Sequence, residues 1–275
     1  MNYILLNIAV ADDEQAEILT AELAEWSFES FEMGAGMLKA YIPQERLADC
    51  KPQVDALLAR YGVEGRYISI EAQNWNALWE RNFPATDVEG RLRIRAPFHE
   101  PAPAGEMEIV VMPKMSFGTG QHATTWLMAR GVLDLGVAGR RGLDMGSGTG
   151  VLAILAAKCG AAHIDAVDID EWADANCREN VAANGVESLV EPLLGDVSRI
   201  AGRTYDFILA NINRNILLRD MHAYAAALAP GGDLLMSGFL DADVEAVVAA
   251  AATEGMQLVA THARDGWNMV HVRKA

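Results

Sequence analysis

Apolar positions recur at two periods along this chain, and the changes of period mark its elements. Tyr3 to Val10 is an apolar run of strand type. Residues 13–29 follow at helical spacing, with Ile18, Leu19, Leu23 and Trp26 on one face and Glu17, Glu22, Glu25 and Glu29 elsewhere. Gly34 and Gly36 bound a turn, and Met37 to Ile42 predicts a second strand. Residues 44–60 predict a second helix, with Pro52 as an early helical position, and Arg66 to Glu71 alternates as another strand. Two helices over one sheet predict a small N-terminal α+β domain over residues 1–72. Ferredoxin-like βαββαβ is the leading arrangement, with the number of strands between the helices left open.

Residues 73–100 change character. Trp75, Trp79, Phe83 and Pro84 sit among polar residues, and Pro97, Pro101 and Pro103 follow. This predicts a linker whose aromatics pack on one or both domains. Trp75 and Trp79 share a face if the segment is helical. Arg91, Arg93 and Arg95 alternate, which fits one face of a strand.

From residue 101 to 275 strands and helices alternate. Strands are predicted at Glu108–Met112, Gly142–Met145, Ile164–Ile169, Leu189–Leu194, Tyr205–Asn211 and Asp233–Gly238. Helices are predicted at Gln121–Leu135, Val151–Cys159 and over 171–184, 215–229 and 241–254. Such alternation specifies a doubly wound, mostly parallel α/β sheet. Gln257–His262 and Asn268–Arg273 flank Arg264-Asp265-Gly266 and predict a closing antiparallel hairpin. That ending is more typical of methyltransferases than of dehydrogenases.

Composition narrows the partners. The net charge is −16 and there is no Lys/Arg run, so a nucleic-acid backbone would be repelled. Small molecules or a basic protein are the expected partners. The three cysteines, Cys50, Cys159 and Cys177, form no CxxC pair, which argues against a disulfide framework and against a metal site. The N-terminus lacks a basic start and a cleavage site, and no apolar run approaches the ~20 residues of a membrane span. The expectation is a cytoplasmic protein, with a monomer favoured.

The densest chemistry lies at Asp144-Met-Gly-Ser-Gly-Thr-Gly150, between a predicted strand and a helix. Glycines there let the backbone approach a ligand and turn sharply. Asp168 ends the next strand, 22 residues beyond Gly146, where an acid accepts hydrogen bonds from ribose hydroxyls. The dinucleotide fingerprint requires glycine at 151, where this chain has Val151. Asp144 would repel a pyrophosphate and suits a cationic ligand. The pattern therefore favours S-adenosylmethionine, a sulfonium without phosphate, over NAD. Asp196 stands where an adenine amino group is met, and Asp170 reads as a helix-start acid. Upstream, in Phe117-Gly-Thr-Gly-Gln-His-Ala-Thr-Thr125, either Thr124 or Thr125 caps a helix or touches a ligand. His122 alone reads as structural.

Phe117 to Thr125, Asp144 to Gly150 and Ala210-Asn211-Ile212 together resemble the bacterial ribosomal protein L11 methyltransferase family, PrmA. The likeness is carried most by the FGTGQHATT segment and covers about residues 100–275. By layout, residues 1–72 match the small substrate-recognition domain of that family. The resemblance implies trimethylation of lysine ε-amines and the N-terminal α-amine of ribosomal protein L11. Carried over by position, it implies cofactor contacts from Thr124, Gly146, Asp168 and Asn211, with Phe117, Asp144, Gly148 and Asp196 as secondary candidates. Gln121 and Ala123 beside His122, and Asn213 after Asn211-Ile212, depart from many relatives and leave the target choice open.

A lysine with a pKa near 10.4 is neutral in about one part in a thousand near pH 7.4, a cost of about 4 kcal/mol. Asn211 is assigned orientation of the neutral amine, because an amide is not a useful base; the alternative is a cap of the next turn. Base methyltransferases often carry Asn/Asp-Pro-Pro-aromatic at this point. Asn211-Ile-Asn-Arg214 has neither proline nor aromatic. Eight carboxylates and no Lys or Arg in the first 38 residues suggest attraction of a lysine-rich partner, or an ordinary solvated helix face. A small-molecule amine methyltransferase and a non-catalytic cofactor-binding regulatory module are the rival readings.

Overall fold

The structure is a computed structural model and describes residues 2–70, 83–114 and 118–275. The chain divides into two compact units, Met1–Asn82 and Phe83–Ala275. Trp75 and Trp79 lie outside the described residues.

The first unit runs β1 (Tyr3–Ala9), α1 (Asp13–Ala24), β2 (Ser30–Gly34), β3 (Met37–Pro43), α2 (Gln44–Tyr61) and β4 (Gly65–Ile70). Its strands lie in the order β2-β3-β1-β4, with every neighbour antiparallel. Alternate residues of β1 and β3 (Ile4, Leu6 and Ile8; Leu38, Ala40 and Ile42) meet Leu19 and Leu23 of α1 and Val54, Leu57 and Leu58 of α2. Two readings of the pattern need correction. Helix α1 stops at Ala24, because Ser27 turns the chain at φ 64° and sends Phe28 and Phe31 back to the core. Residues 25–29 make the connection instead, and β2 follows at Ser30–Gly34, before the Gly34–Gly36 turn. Pro52 lies inside α2 and not near its start. The helix tolerates the lost amide and ends on Gly62, left-handed at φ 65°.

Residues 83–100 are not a linker. They carry β5 (Thr86–Val88) and β6 (Leu92–Arg95), which join β7 (Met107–Val110) in a three-stranded sheet. Leu92 and Ile94 are fully buried in the core of the larger unit. Burial of this kind stabilises by about 1.5–3 kcal/mol per side chain, enough to pin a segment that Pro97, Pro101 and Pro103 made look extended. Arg95 lies on the other face and forks onto Glu108, Nε to Oε2 at 2.8 Å and Nη2 to Oε1 at 3.0 Å. That pair and the Ala102 amide hold Glu108 down at about 2.

The rest is a doubly wound sheet: α3 (Ala123–Leu135), β8 (Arg141–Met145), α4 (Val151–Lys158), β9 (His163–Asp168), α5 (Glu171–Ala183), β10 (Val190–Leu194), β11 (Tyr205–Asn211), α6 (Arg214–Ala227), β12 (Leu228–Leu240), α7 (Val244–Thr253), β13 (Met256–Arg264) and β14 (Trp267–Lys274). The order is β10-β9-β8-β11-β12-β14-β13; only β14 runs antiparallel to its neighbours. Phe207 and Leu209 of β11 point into the layer of α3, α4 and α5, and Ile208 and Ala210 into the layer of α6 and α7. The order reverses between β8 and β11. Ligands bind beyond the strand ends at such a switch point.

Candidate active site

A cavity of about 640 Å³ opens at the carboxyl ends of β8, β9, β10 and β11, within the usual range for small-molecule sites. Its floor is the glycine loop. Gly146, Gly148 and Gly150 have φ of 72°, 53° and 79°, a region that residues with a Cβ avoid. Sterics add to this at Gly146, where a Cβ would stand 2.2 Å from Cγ2 of Ile212. The amides of Gly146 and Ser147 both donate to the carbonyl of Val167, at 2.8 and 3.1 Å.

Asp168 ends β9 and braces the loop. Its Oδ2 accepts the Gly148 amide at 2.8 Å and its Oδ1 the Asp170 amide at 3.0 Å. Each oxygen keeps a lone pair for a ligand hydroxyl. Asp170 caps α5, accepting the amides of Trp172 and Ala173. Asp196 lines the cavity beyond β10 and accepts the Ser198 amide at 2.9 Å.

Asp144 sits differently. It is 1 % exposed and does not line the cavity; Oδ2 accepts the Ala153 amide at 3.0 Å, inside the first turn of α4. Burial pushes its carboxyl up to about 7. Its place is beneath the loop, because alternation along β8 turns it toward the helix and away from the mouth.

Thr124 lines the cavity, whereas Thr125 is buried and absent from its wall. Neither caps α3. The cap is His122, whose Nδ1 accepts the Thr124 amide at 3.2 Å and lies 2.8 Å from the Thr124 hydroxyl. Accepting that amide commits Nδ1 to the start of the helix and fixes the plane of the ring. His122 also meets Trp267 edge to face, with ring centroids 4.7 Å apart, and both line the cavity.

Asn211 stands at the end of β11 and lines the cavity. The cap of α6 is Asn213, which accepts the Ile216 amide at 3.2 Å. Asn211 is thus released from capping, and its Oδ1 is buried without a hydrogen-bond partner among the described residues. A buried acceptor left unpaired costs about 1–3 kcal/mol, which a ligand donor recovers.

Thr124, Gly146, Gly148, Asp168, Asp196 and Asn211 therefore share one wall system. Asp144 lies behind it, and Phe117 lies outside the described residues. Ile169, Trp172, Asp220 and Trp267 are additional lining residues. Trp267 directly follows the Asp265-Gly266 turn, and that position was the available signal. Asp220 gave none, being one of many acids on a helix. The cavity presents Asp168, Asp170, Asp196 and Asp220 against one guanidinium, Arg219, which forks onto Asp220 at 2.7 and 2.9 Å. The surplus of negative charge suits a cation.

A sequence profile described as ribosomal protein L11 methyltransferase (PrmA) matches residues 7–275. The chain belongs to the ribosomal protein L11 methyltransferase family. A relative of that name from Porphyromonas gingivalis is 44% identical over 258 residues, covering 91% of this chain and 88% of the relative. One from Bacteroides fragilis is 40% identical over 261 residues, covering 92% of each. The crystal structure of ribosomal protein L11 methylase from Lactobacillus delbrueckii subsp. bulgaricus superposes with a TM-score of 0.64 at 25% identity, over 70% of this chain and all of that one. The expected class I methyltransferase fold is therefore correct for the α/β unit, and this family member is a methyltransferase whose cofactor is S-adenosylmethionine. The wall described above fits that cofactor: surplus carboxylates for its cations and glycines for close approach.

Proposed function

We propose that this enzyme methylates the lysine ε-amines and the N-terminal α-amine of ribosomal protein L11. The observation that carries the reading is the unpaired, buried Asn211 Oδ1 at the mouth of an acidic pocket. When bound, S-adenosylmethionine supplies an electrophilic methyl on a positively charged sulfur. Thr124, the Gly146 and Gly148 backbone, Asp168 and Asp196 would hold it. Asn211 accepts a hydrogen bond from the neutral amine and aims its lone pair, and the rings of His122 and Trp267 exclude water from one side. Holding reactants in line supplies as much as ~7–11 kcal/mol of barrier reduction in favourable cases. The His122 ring, held by its cap on α3, serves as a wall of the site.

The N-terminal unit, read as ferredoxin-like, is the substrate-recognition domain in this account. Of its early acids, Glu22, Glu29 and Glu32 are engaged by Arg60 and Tyr61, by Tyr3, and by Lys39. Asp13, Glu14, Glu17 and Glu25 are exposed and offer their charge to a basic partner. The protein is read as cytoplasmic; no described helix is long and apolar enough to cross a membrane. Incubation with labelled S-adenosylmethionine and a ribosomal-protein extract, followed by mass mapping, tests the assignment. Label on lysines and the N-terminus of L11 is expected, and label on other proteins alone contradicts it.

A further inference from the structure

Behind the glycine loop, α5 carries three asparagines at four-residue spacing, Asn176, Asn180 and the C-capping Asn184. Such spacing puts them on one face. Asn176 and Asn180 are only 1 % exposed. Asparagine is a weak helix former and its amide is costly to bury unpaired, so the row calls for a reason beyond helix formation.

Its bonds supply one. Asn184 grips Val110 at both backbone groups, accepting its amide at 3.0 Å and donating to its carbonyl at 2.7 Å. Asn180 Oδ1 accepts the Met112 amide at 3.0 Å, while its Nδ2 donates to the Thr149 carbonyl in the glycine loop at 2.9 Å. Asn176 Oδ1 lies 3.3 Å from the same Nδ2. Thr149, fully buried, then donates its hydroxyl to the Gly118 carbonyl at 2.7 Å. The approach is close: a Cβ on Gly118, at φ 102°, would stand 2.7 Å from the Thr149 oxygen. The chain is thus tied at Met112 and again at Gly118, both times through Thr149 or its buried partner. Four residues beyond Gly118 comes His122, then Thr124, the two members of that segment that line the cavity.

We propose that Thr149 and Asn180 are positioning residues for methyl transfer, which seat the Gly118–Thr124 segment on the glycine loop and so aim His122 and Thr124. The proposal rests on the cavity being the cofactor site. A backbone carbonyl bound by a side-chain hydroxyl holds a loop without a strand partner, and the isosteric change Thr149→Val deletes that bond while keeping the volume.

The test uses the full-length enzyme, calorimetric titration with S-adenosylhomocysteine, and steady-state kinetics. Loss of a buried hydrogen bond predicts that Thr149→Val weakens binding about tenfold and lowers kcat at saturating cofactor. Thr149→Ser, which keeps the donor, restores both. Asn180→Asp keeps the acceptor for Met112, turns an oxygen toward the Thr149 carbonyl, and shifts both readouts in the same direction as Thr149→Val. If Thr149→Val binds and turns over like wild type, or only melts earlier with binding and kcat unchanged, the proposal is overturned and the hydroxyl is merely structural. Failure of the wild type itself to bind S-adenosylhomocysteine overturns the cavity assignment, and the proposal with it.

Discussion

Asp144 lies beneath the proposed cofactor site without lining the cavity. It lies under the loop, with one oxygen on the Ala153 amide and the other unpaired among the described residues. Burial raises its carboxyl from 3.8 to about 7. The folded state therefore binds this proton more tightly than the unfolded chain. The resulting stabilisation is fully present below about pH 4 and is lost as pH rises through 7. At about 1.4 kcal/mol per unit, the span amounts to roughly 4 kcal/mol at most. Asp144→Asn keeps an acceptor for Ala153 and removes the titration. Its melting temperature is expected to change less than that of wild type between pH 5.5 and pH 8, with the gap widening toward pH 8. Parallel pH profiles would show that Asp144 does not titrate in this range. The same residue marks a limit of sequence reading: its charge was legible, but whether it faced the pocket depended on the pleat of β8.

Among the elements, the loop after β8 and the turn after β11 act as one piece. Gly146 leaves room for Ile212, which follows Asn211, and Gly238 of β12 leaves room for the Ile212 backbone, where a Cβ would stand 2.3 Å from its carbonyl oxygen. Gly238 lies at a bulge in the pairing of β12 with β14, and bulges commonly re-aim residues beside sites. Gly146→Ala combines the clash with a left-handed φ costing about 1–2 kcal/mol. It is expected to abolish detectable binding of S-adenosylhomocysteine by calorimetry, and Ile212→Ala in the same chain is expected to recover part of it by removing the clash but not the strain. Full binding by Gly146→Ala would contradict the geometry. Glycine spacing and strand–helix alternation made the loop, Asp168 and Asn211 legible in sequence. Strands β2 and β5 were not, and of β6 only the alternation of Arg91, Arg93 and Arg95 showed. Ser30–Gly34 is short and follows a helix ended by Ser27 at positive φ, and β6 owes its place to the burial of Leu92 and Ile94 in a distant core. Capping by His122 was equally hidden, because imidazole is an uncommon cap beside two threonines.

At the scale of the whole molecule, two compact units divide the labour in the proposed account: the larger binds cofactor and the smaller finds the protein. Deletion of residues 1–82 is expected to leave S-adenosylhomocysteine binding within about threefold of wild type, since no described residue of that unit lines the cavity. Methylation of L11 by the shortened enzyme is expected to fall below detection in a radiolabel assay. Methylation at the wild-type rate would remove the recognition role from the N-terminal unit. The most direct measurement of the central claim is the intact mass of purified L11 after incubation with S-adenosylmethionine and either wild type or Asn211→Ala. The account predicts mass steps of whole methyl groups with wild type and almost none with Asn211→Ala, although both bind S-adenosylhomocysteine. An unshifted L11 mass with wild type, or equal methylation by Asn211→Ala, would contradict it.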